Sequence, residues 1–388
     1  MLDRIHCYVS ERCPLSDSQF GFRMNRSCAS QLVCYTDLLT KTVDKGLCVD
    51  VVYLDFSKAF DKVSHGTLIQ KIHDRKIPLS ITKWIQAFLM ERTQSVVIQK
   101  SSSTKRKVTS GVPQGSILGP ILFLLYTDDI DKILIEPIIP YKFADDMKLC
   151  SVFDPKCTTS NGHDTLQSCI NNLYRWCVEN SLPLNLKKCS IIHFGSTNTR
   201  LPYYFEGHEI ESHPTERDLG VIFDENITFQ SHIDSIVNRA RRLTCMMFRS
   251  FHSRSAFVII PIYKTMIRPL LEYATVVWNP HQIKQVKQIE SVQRYVTKRI
   301  LNYSTASYNE RMRLLKLPPL QARRNYFDLV EIYKIINKLS FVDKNLSYSF
   351  IPRPSRGHVF RIRCCKYNRS LLYLSELLMF GIIFLLML

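Results

Sequence analysis

The chain has 388 residues, of which 45% are hydrophobic and 22% charged, and its net charge at pH 7 is +18. This composition excludes wholesale disorder, a collagen, a coiled coil and a disulfide scaffold, and the length predicts two or three domains. The positive charge favours a polyanionic partner such as nucleic acid or an anionic membrane. The plain alternative is a basic globular protein that binds neither.

The first half of the chain predicts strands that alternate irregularly with helices. The β-branched apolar run over 48–56 predicts a strand that ends near Asp55, and a helical pattern follows over 58–72. The remaining predicted elements are helices over 84–90, 121–126 and 166–180, strands over 94–99, 141–149 and 190–194, and a Gly/Pro-rich loop over 111–120. Because the alternation is not a regular βαβ repeat, it predicts an α+β or mixed α/β core.

Most of the excess positive charge lies in one segment of the second half. Residues 231–330 contain 17 lysines and arginines against 5 acidic residues, a net charge of +12. The start of this segment has apolar residues at the three- and four-residue spacing of a helix, namely Ile233, Ile236, Val237, Ala240 and Leu243. A second helical run covers 285–301. The segment therefore predicts a basic, helical module.

The thirteen cysteines predict reduced, buried thiols, not a zinc site or a disulfide framework. Their number is odd, no CxxC pair occurs, and the only adjacent pair is Cys364 and Cys365. The first residues also lack the apolar run of a signal peptide. The expected location is therefore intracellular, with nucleus and cytoplasm both open.

The last residues are unusually apolar, since only Ser375, Glu376 and Gly381 interrupt the run over 371–388. This stretch is shorter than the roughly 20 residues that a membrane span requires. Three interpretations stay open: a membrane anchor, a hydrophobic helix docked on the body of the protein, or an end not selected for folding. The anchor is disfavoured, so a membrane is not an expected partner.

Three carboxylates predict a site for divalent cations. Asp55 stands at the carboxyl end of an apolar strand, and Asp145 and Asp146 lie inside the apolar run over 141–149. A hairpin with this pair at its bend would present both carboxylates to a site shared with Asp55. Hard divalent cations prefer such clusters of oxygen ligands.

Two further features have plainer alternatives. Asp128 and Asp129 end an apolar helical run, so the sequence predicts that they stop this helix at the surface. In the loop over 110–120, glycines let the backbone approach a ligand closely, and Gln114 offers both a donor and an acceptor. A loop of this composition is also an ordinary turn.

The order of these segments resembles a known family. LDFSKAFD (54–61), SGVPQGSILGP (110–120) and FADD (143–146) together resemble the palm of reverse transcriptases, most closely those of non-LTR (LINE-type) retrotransposons. The likeness covers about residues 16 to 340. Its further blocks are QFGFRMNRS (19–27), LNLKKC (184–189), LGVIFD (219–224), HIDSIVNRARR (232–242) and IRPLLEYATVVWNP (267–280).

The resemblance implies an α+β fold, a right-hand polymerase palm with partial fingers, followed by an α-helical basic thumb. The implied ranges are 1–47 for the partial fingers, 48–230 for the palm with fingers elements at about 75–110, 231–345 for the thumb-like module, and 346–388 for a basic and then hydrophobic tail. Only eighteen residues precede Gln19, fewer than the family usually has, so an N-terminally truncated copy is expected.

The resemblance also implies roles for the candidate residues. Asp55 and Asp145 would be the principal Mg²⁺ ligands, with Asp146 as the second member of the FADD block. Phe60 would exclude a ribose 2′-hydroxyl and so select dNTPs, although a core aromatic is the alternative. Gln114 and Gly115 would line the nucleotide-binding pocket, as parts of the loop described above.

Three basic residues complete the implied site. Arg23, and with it Arg26, would contact the triphosphate, because a guanidinium fork suits phosphate oxygens. Lys188 would donate a proton to the leaving pyrophosphate, or it is a solvated surface lysine. The turn at Leu219 and Gly220 would be the hairpin that grips the primer. The implied cofactors are two Mg²⁺ ions, with Mn²⁺ as the alternative metal.

The implied function is RNA-directed DNA polymerisation, with an RNA template, a DNA primer and dNTPs as partners. A catalytically incompetent, truncated relic that still binds nucleic acid is the alternative. An RNA-templated RNA polymerase is disfavoured by Phe60 and by FADD where viral replicases usually carry Gly-Asp-Asp. The sequence does not indicate an oligomeric state.

Overall fold

The computed structural model describes residues 2–156, 162–300, 303–342, 348–352 and 360–364. The chain forms two compact units, each built from two stretches of sequence. Unit 1 comprises Met1–Ser27 and Gly46–His213, and unit 2 comprises Cys28–Lys45 and Pro214–Leu388. The candidate residues for metal and nucleotide binding, from Arg23 to Lys188, belong to unit 1, whereas the turn at Leu219 and Gly220 belongs to unit 2.

The α-helices account for most of the described secondary structure. Two short 3-10 helices, Asp128–Ile133 and Arg268–Leu271, and one π-helical turn, Tyr263–Ile267, accompany them. In chain order the α-helices are α1 (Leu2–Arg12), α2 (Cys28–Asp44), α3 (Ala59–Lys62), α4 (His65–Asp74), α5 (Leu79–Leu89), α6 (Gly119–Thr127), α7 (Gly162–Glu179), α8 (Gln230–Ser250), α9 (Ala256–Ile262), α10 (Thr275–Trp278), α11 (Ile283–Lys298), α12 (Tyr308–Leu314) and α13 (Leu320–Ile336).

The strands are mostly short, and four of the longer ones pair in one sheet of unit 1. In chain order they are β1 (Cys48–Leu54), β2 (Thr93–Gln94), β3 (Val97–Ile98), β4 (Ser101–Ser102), β5 (Arg106–Lys107), β6 (Ile139–Phe143), β7 (Asp146–Phe153), β8 (Ser190–Phe194), β9 (Tyr204–Phe205), β10 (His208–Glu209), β11 (Glu211–Ser212), β12 (Thr215–Asp218), β13 (Val221–Asp224), β14 (Tyr348–Pro352) and β15 (Phe360–Cys364).

Unit 1 is organised around a five-stranded sheet with the order β11-β8-β1-β7-β6. Its pairs are antiparallel except for β11 with β8. All residues of β1 except Tyr53 are buried, which explains its nearly continuous apolar sequence, because a strand covered on both faces does not alternate. Its one buried carboxylate, Asp50, accepts hydrogen bonds from His193 at 2.7 Å, Asn198 at 2.8 Å and Tyr203 at 2.7 Å.

Helix α6 is the central helix of the unit 1 core. Its residues are buried except for the half-buried Pro120, as expected of a helix that is apolar all round. Helix α4 packs against both α5 and α6, while the amphipathic α7 packs against β7. These contacts cover the sheet with helices. The first polar residue after the buried β1 is Asp55.

Asp128 and Asp129 correct one expectation. The apolar helix does end at Thr127, but the pair starts a 3-10 helix and does not simply stop the chain at the surface. The carboxylate of Asp128 pairs with Arg75, and that of Asp129 lies 2.8 Å from the amine of Lys71. The side chains of Asp128 and Asp129 are 10% and 32% exposed, so both carboxylates are partly buried. Burial of a carboxylate is tolerated when a cation compensates its charge, as Arg75 and Lys71 do here.

Unit 2 consists mainly of helices, and a hairpin of β12 and β13 precedes α8. Strands β12 and β13 pair tightly around Leu219 and Gly220, both of which have positive φ, as a two-residue hairpin turn requires. Helix α8 buries one face and packs against α11, and α2 packs against α10. Helix α2 has ten buried residues, so it is a core element of unit 2 despite its early position in the chain.

The predicted elements agree with the structure in most places. Strand β8 has the predicted bounds, and the run over 141–149 is a hairpin, as expected. The helical pattern over 58–72 is instead divided into α3 and α4, because the carbonyl of Val63 accepts the amide of Gly111 and the hydroxyl of Ser64 caps α4. The predicted strand over 94–99 is two exposed two-residue strands.

Two expectations concern the cysteines and the membrane. Of the ten free thiols in the described part, six are buried, as expected, whereas Cys13 and Cys28 are half-buried and Cys7 and Cys245 are exposed. None of the helices within the described ranges is long and apolar enough to cross a membrane. The hydrophobic tail over 371–388, with its three open interpretations, lies outside the described residues.

Candidate active site

Asp55 follows β1 directly, and the backbone around it is fixed by a second segment. The carbonyl of Asp55 accepts the amide of Asn185 at 2.7 Å, and the amide of Ser57 donates to the carbonyl of Pro183 at 2.8 Å. Its side chain is 32% exposed, and one carboxylate oxygen lies 3.3 Å from the amine of Lys188. The sequence therefore folds so that Asp55 leaves the buried sheet at a position that solutes can reach.

Asp145 lies at the bend of the β6–β7 hairpin. Phe143 pairs with Asp146, and Ala144 between them has a φ of +57°, a left-handed conformation that residues other than glycine adopt infrequently. Antiparallel pairing of Leu54 with Met147 brings Asp55 to the same end of the sheet as this bend. The predicted hairpin is present, with Asp145 in its turn and Asp146 as the first residue of β7.

Asp55 and Asp145 interact electrostatically. Partial burial raises the pKa of Asp145, its own backbone hydrogen bond opposes that effect, and the negative charge of Asp55 raises the pKa further. Two carboxylates close enough to repel each other in a partly buried position are stabilised by a cation. The pair thus has the donor chemistry that a hard divalent cation requires.

Asp146 follows Asp145 directly. It is the first residue of β7, where it pairs with Phe143, and its side chain is exposed. Within the part of the chain that the structure describes, no group of three His, Cys, Asp or Glu side chains is gathered to hold a metal ion. The predicted three-carboxylate cluster is therefore represented by the pair Asp55 and Asp145.

Phe60 lies on the segment that follows Asp55, and the loop over 110–116 is hydrogen-bonded to that segment. The ring of Phe60 is half-buried and stacks on Phe123, with centroids 4.6 Å apart. The amide of Val112 donates to the carbonyl of Phe60 at 2.8 Å, and the side-chain amide of Gln114 donates to the carboxylate of Asp61 at 2.9 Å. Phe60 and Gln114 are therefore brought to one region of unit 1.

Glycine is required at one position of this loop. Gly111 has a φ of +91°, and a Cβ there would lie 2.8 Å from two backbone atoms of Asp61. Gly115 also has a positive φ, of +76°, but the space around it is open. The loop is therefore fixed at its start, and its tip, with the exposed Gln114 and Gly115, is left accessible.

Comparison with known proteins identifies the family. The family model described as reverse transcriptase (RNA-dependent DNA polymerase) matches residues 1–242, more than half of the chain. The chain belongs to the reverse transcriptase family.

The curated relatives of this reverse transcriptase domain include proteins of insect mobile elements. The probable RNA-directed DNA polymerase from transposon X-element of Drosophila melanogaster is 28% identical over 291 residues, 73% of this chain and 32% of the relative. The RNA-directed DNA polymerase from mobile element jockey of the same species is 25% identical over 292 residues, 73% of this chain and 31% of the relative. The chain thus spans about a third of the length of these relatives.

Solved structures include more distant likenesses to the reverse transcriptase domain. The apo telomerase from Candida tropicalis aligns with 87% of this chain and 57% of its own, at 11% identity and a TM-score of 0.42. The family assignment rests on the family model and not on this alignment.

Arg23 and Arg26 have internal partners in this reverse transcriptase domain. Arg23 donates to the carbonyl of Ser16, and Arg26 donates to the carbonyl of Gln19 at 3.0 Å and to the carboxylate of Asp17 at 2.6 Å. Their side chains are 20% and 3% exposed. Both guanidinium groups brace the turn that contains the QFGFR block, whereas the sequence predicts that they contact a triphosphate.

Two residues of the site received no individual role from the sequence, although both lie in quoted blocks. Gln19 contacts the bend beside Asp145, and Asp61 holds the loop over 110–116. The sequence signals were a glutamine and a glycine two positions apart in QFG, and a second aspartate in LDFSKAFD. Neither signal indicates the partner, because Ala144 and Gln114 lie more than 45 residues away in the chain and come close only in the folded structure.

Proposed function

We propose that this domain is an RNA-directed DNA polymerase that extends a DNA primer on an RNA template. The observation that carries the proposal is that Asp55 and Asp145 lie at the same end of the unit 1 sheet, where the charge of Asp55 contributes to raising the pKa of Asp145. Family membership supports the reaction class, a nucleotidyl transfer in which the primer 3′-hydroxyl attacks the α-phosphate of a dNTP. Residues 1–47 would supply partial fingers, residues 48–230 the palm with fingers elements at about 75–110, and the helices from 231 onward the thumb.

Asp55 and Asp145 would hold the divalent cations, with Asp146 as a further oxygen ligand at the bend. Two bound Mg²⁺ ions, or Mn²⁺ ions, stabilise the attacking and leaving oxygens of a phosphoryl transfer. Lys188, whose amine lies 3.3 Å from Asp55, would be close enough to the reacting phosphates to donate a proton to pyrophosphate. Its side chain is 67% exposed and can change position.

The remaining residues would bind and select the nucleotide. Phe60, fixed by its stacking on Phe123, would present a ring edge to the sugar and so exclude a 2′-hydroxyl. Gln114 and Gly115, at the accessible tip of their loop, would contact the sugar or the base. Arg23 and Arg26 would reach a triphosphate only after exchanging their present contacts within the QFGFR turn.

A primer-extension assay on poly(rA)/oligo(dT) tests the proposal. Asp55→Ala and Asp145→Asn are each expected to lower dTMP incorporation by about 1,000-fold or more, since several kcal/mol of charge stabilisation are lost. Asp164→Asn is the matched control, because this carboxylate on α7 of the same unit is 72% exposed. It should retain the activity of the wild type.

A second function is favoured by the internal contacts of Arg23 and Arg26. With both guanidinium groups engaged by the QFGFR turn, the domain could bind RNA without polymerising nucleotides. RNA binding by the wild type together with no detectable extension, in Mg²⁺ and in Mn²⁺, would identify this inactive form. Extension that Asp145→Asn leaves intact would exclude the proposed site.

A further inference from the structure

The QFG turn, defined as residues 18–22, packs directly against the bend that carries Asp145. Gln19 forms a parallel bridge with Lys142, the fourth residue of β6. The amide of Phe20 donates to the carbonyl of Lys142 at 2.7 Å, and the amide of Lys142 donates to the carbonyl of Ser18 at 2.8 Å. The turn therefore adds a short strand-like segment to the edge of the hairpin.

The side chain of Gln19 reaches the bend itself. It is 2% exposed, and its carbonyl oxygen Oε1 accepts the amide of Ala144 at 3.0 Å and the amide of Gly21 at 2.8 Å. The first bond satisfies the backbone of a residue in the left-handed conformation, which alanine adopts at a steric cost. One buried side chain thus connects the QFG turn to the residue that immediately precedes Asp145.

Gly21 makes this close approach sterically feasible. A Cβ at this position would lie 2.5 Å from the amide nitrogen of Ala144 and 3.1 Å from the carbonyl carbon of Phe143. Backbone atoms cannot move aside as the end of a flexible side chain can. Any larger residue at position 21 must therefore displace either the QFG turn or the bend.

The QFG turn is braced from its other side. Arg26 donates to the carbonyl of Gln19, and Arg23 donates to the carbonyl of Ser16. The hydroxyl of Ser18 donates to Asp131 at 2.5 Å, and Asp131 also lies 2.7 Å from the amine of Lys142. The turn is consequently a fixed support and not a loop that follows the bend.

We propose that Gln19 is a positioning residue for nucleotidyl transfer, which fixes the bend over 143–146 so that Asp145 faces Asp55. This role rests on the proposed polymerase function, because only there does the position of Asp145 determine a rate. Gln19 contacts no substrate and acts through the amide of Ala144. Displacement of a reacting group by about 1 Å can cost roughly 100-fold in rate, so one buried hydrogen bond suffices for a large effect.

Hydrogen exchange tests the positioning without requiring activity. Gln19→Leu removes the acceptor at similar volume, and we expect amides of the peptide over 141–149 to lose about 5- to 50-fold protection. Gln167→Leu is the matched control, because Oε1 of Gln167 accepts the amide of Tyr204 at 2.9 Å elsewhere in unit 1. The control should lose protection near Tyr204 and keep it at the bend.

Primer extension then tests the consequence for the reaction. Gln19→Leu is expected to lower kcat by about 10- to 100-fold with a change in KM for dTTP of less than about 3-fold. The control Gln167→Leu should keep both constants. A general loss of folding would instead lower the active fraction, which active-site titration measures separately.

The outcomes separate this inference from the proposed function. Lost protection at the bend with an inactive wild type supports the positioning contact and contradicts the polymerase. Unchanged protection in Gln19→Leu overturns the role of Gln19 whether or not the wild type is active. If the wild type is active, a KM effect with unchanged kcat overturns it too. If Gln19→Leu does not fold, Gly21→Ala decides in the same assays, since its Cβ acts on the same amide.

Discussion

Asp61 connects the two segments that would bind a nucleotide. Its carboxylate accepts the side-chain amide of Gln114 at 2.9 Å, and its carbonyl accepts the hydroxyl of Ser110, also at 2.9 Å. Because Asp61 follows Phe60 directly, it links the residue expected to contact the sugar with the loop expected to contact the base. Gly111 allows the two backbones to approach closely enough for both bonds.

Removal of this link should weaken nucleotide binding before it affects chemistry. For Asp61→Ala we expect KM for dNTP to rise about 5- to 10-fold with kcat changed less than about 2-fold, because one hydrogen bond that orients Gln114 is lost. Asp61→Asn keeps an oxygen that accepts from Gln114 and should retain a KM close to that of the wild type. Steady-state primer extension at varied dNTP concentration measures both constants.

The chain offers a matched control for this effect. Asp74 accepts a hydrogen bond from the side-chain amide of Gln70 at 2.8 Å on the exposed face of α4. Asp74→Ala removes the same kind of bond away from the loop over 110–116 and should leave KM unchanged. An equal rise in KM for Asp74→Ala, or none for Asp61→Ala, contradicts the role assigned to Asp61.

At the scale of elements, α8 separates an apolar face from a basic one. The helix begins after Phe229, whose amide donates to the carboxylate of Asp224 at 2.7 Å. The face that packs against the core carries mostly apolar, buried residues at helical spacing, whereas Arg239, Arg241 and Arg242 are all exposed. Its buried residues are His232, Ile233, Val237, Ala240, Thr244, Met247 and Phe248. This arrangement suits a helix that meets phosphates without reading sequence.

Loss of two of these charges should change the salt dependence of RNA binding. For Arg239→Ala combined with Arg242→Ala, we expect the slope of log K against log salt concentration to decrease by about 0.7 to 0.9 for each phosphate contact removed. Arg175→Ala on α7 is the control, since this arginine is exposed in unit 1. Fluorescence anisotropy between 50 and 300 mM salt, roughly the range in which such slopes are measured, gives the result. A parallel shift without a change of slope would show that these arginines do not contact phosphate.

The elements also show which features the sequence predicts and which it does not. β1, β8 and the β6–β7 hairpin follow from local apolar runs, and α8 follows from its helical spacing. The local sequence pattern does not indicate the burial of α2, which has ten buried residues and packs against the distant α10. Likewise, Asp128 and Asp129 read as surface residues because their partners Arg75 and Lys71 are more than fifty positions away. Local sequence patterns therefore do not indicate which residues are buried, or have their charge compensated, by partners that are distant in the chain.

At the scale of the whole molecule, each of the two units has its own polar site. In unit 1 the carboxylates Asp55 and Asp145 lie at the end of a sheet. In unit 2 a buried group connects α13 to the end of α10: Asn279 donates to Asp328 at 2.7 Å and accepts from Arg324 at 3.0 Å. Asp55 of the first site is partly exposed, whereas Arg324 and Asp328 of the second are buried.

Asp328 makes the stability of unit 2 depend on pH. Burial raises the pKa of this carboxyl to about 7, against the opposing effects of the Asn279 hydrogen bond and the Arg324 charge. Between pH 4 and 7 the folded chain therefore keeps a proton that the unfolded chain has released, so the free energy of unfolding decreases as pH rises. Each unit of pKa shift corresponds to about 1.4 kcal/mol.

Asp328→Asn should remove this dependence, because the replacement is neutral at every pH and its oxygen still accepts from Asn279. We expect the free energy of unfolding of Asp328→Asn, minus that of the wild type, to increase by about 1 to 4 kcal/mol as the pH rises from 4 to 8. Urea unfolding, followed through hydrogen-exchange protection of the α13 amides, measures the stability of unit 2. Comparing both proteins at the same pH cancels the intrinsic pH dependence of exchange. A difference that stays constant across this range would mean that Asp328 is ionised in the folded chain, with Arg324 as its compensating charge.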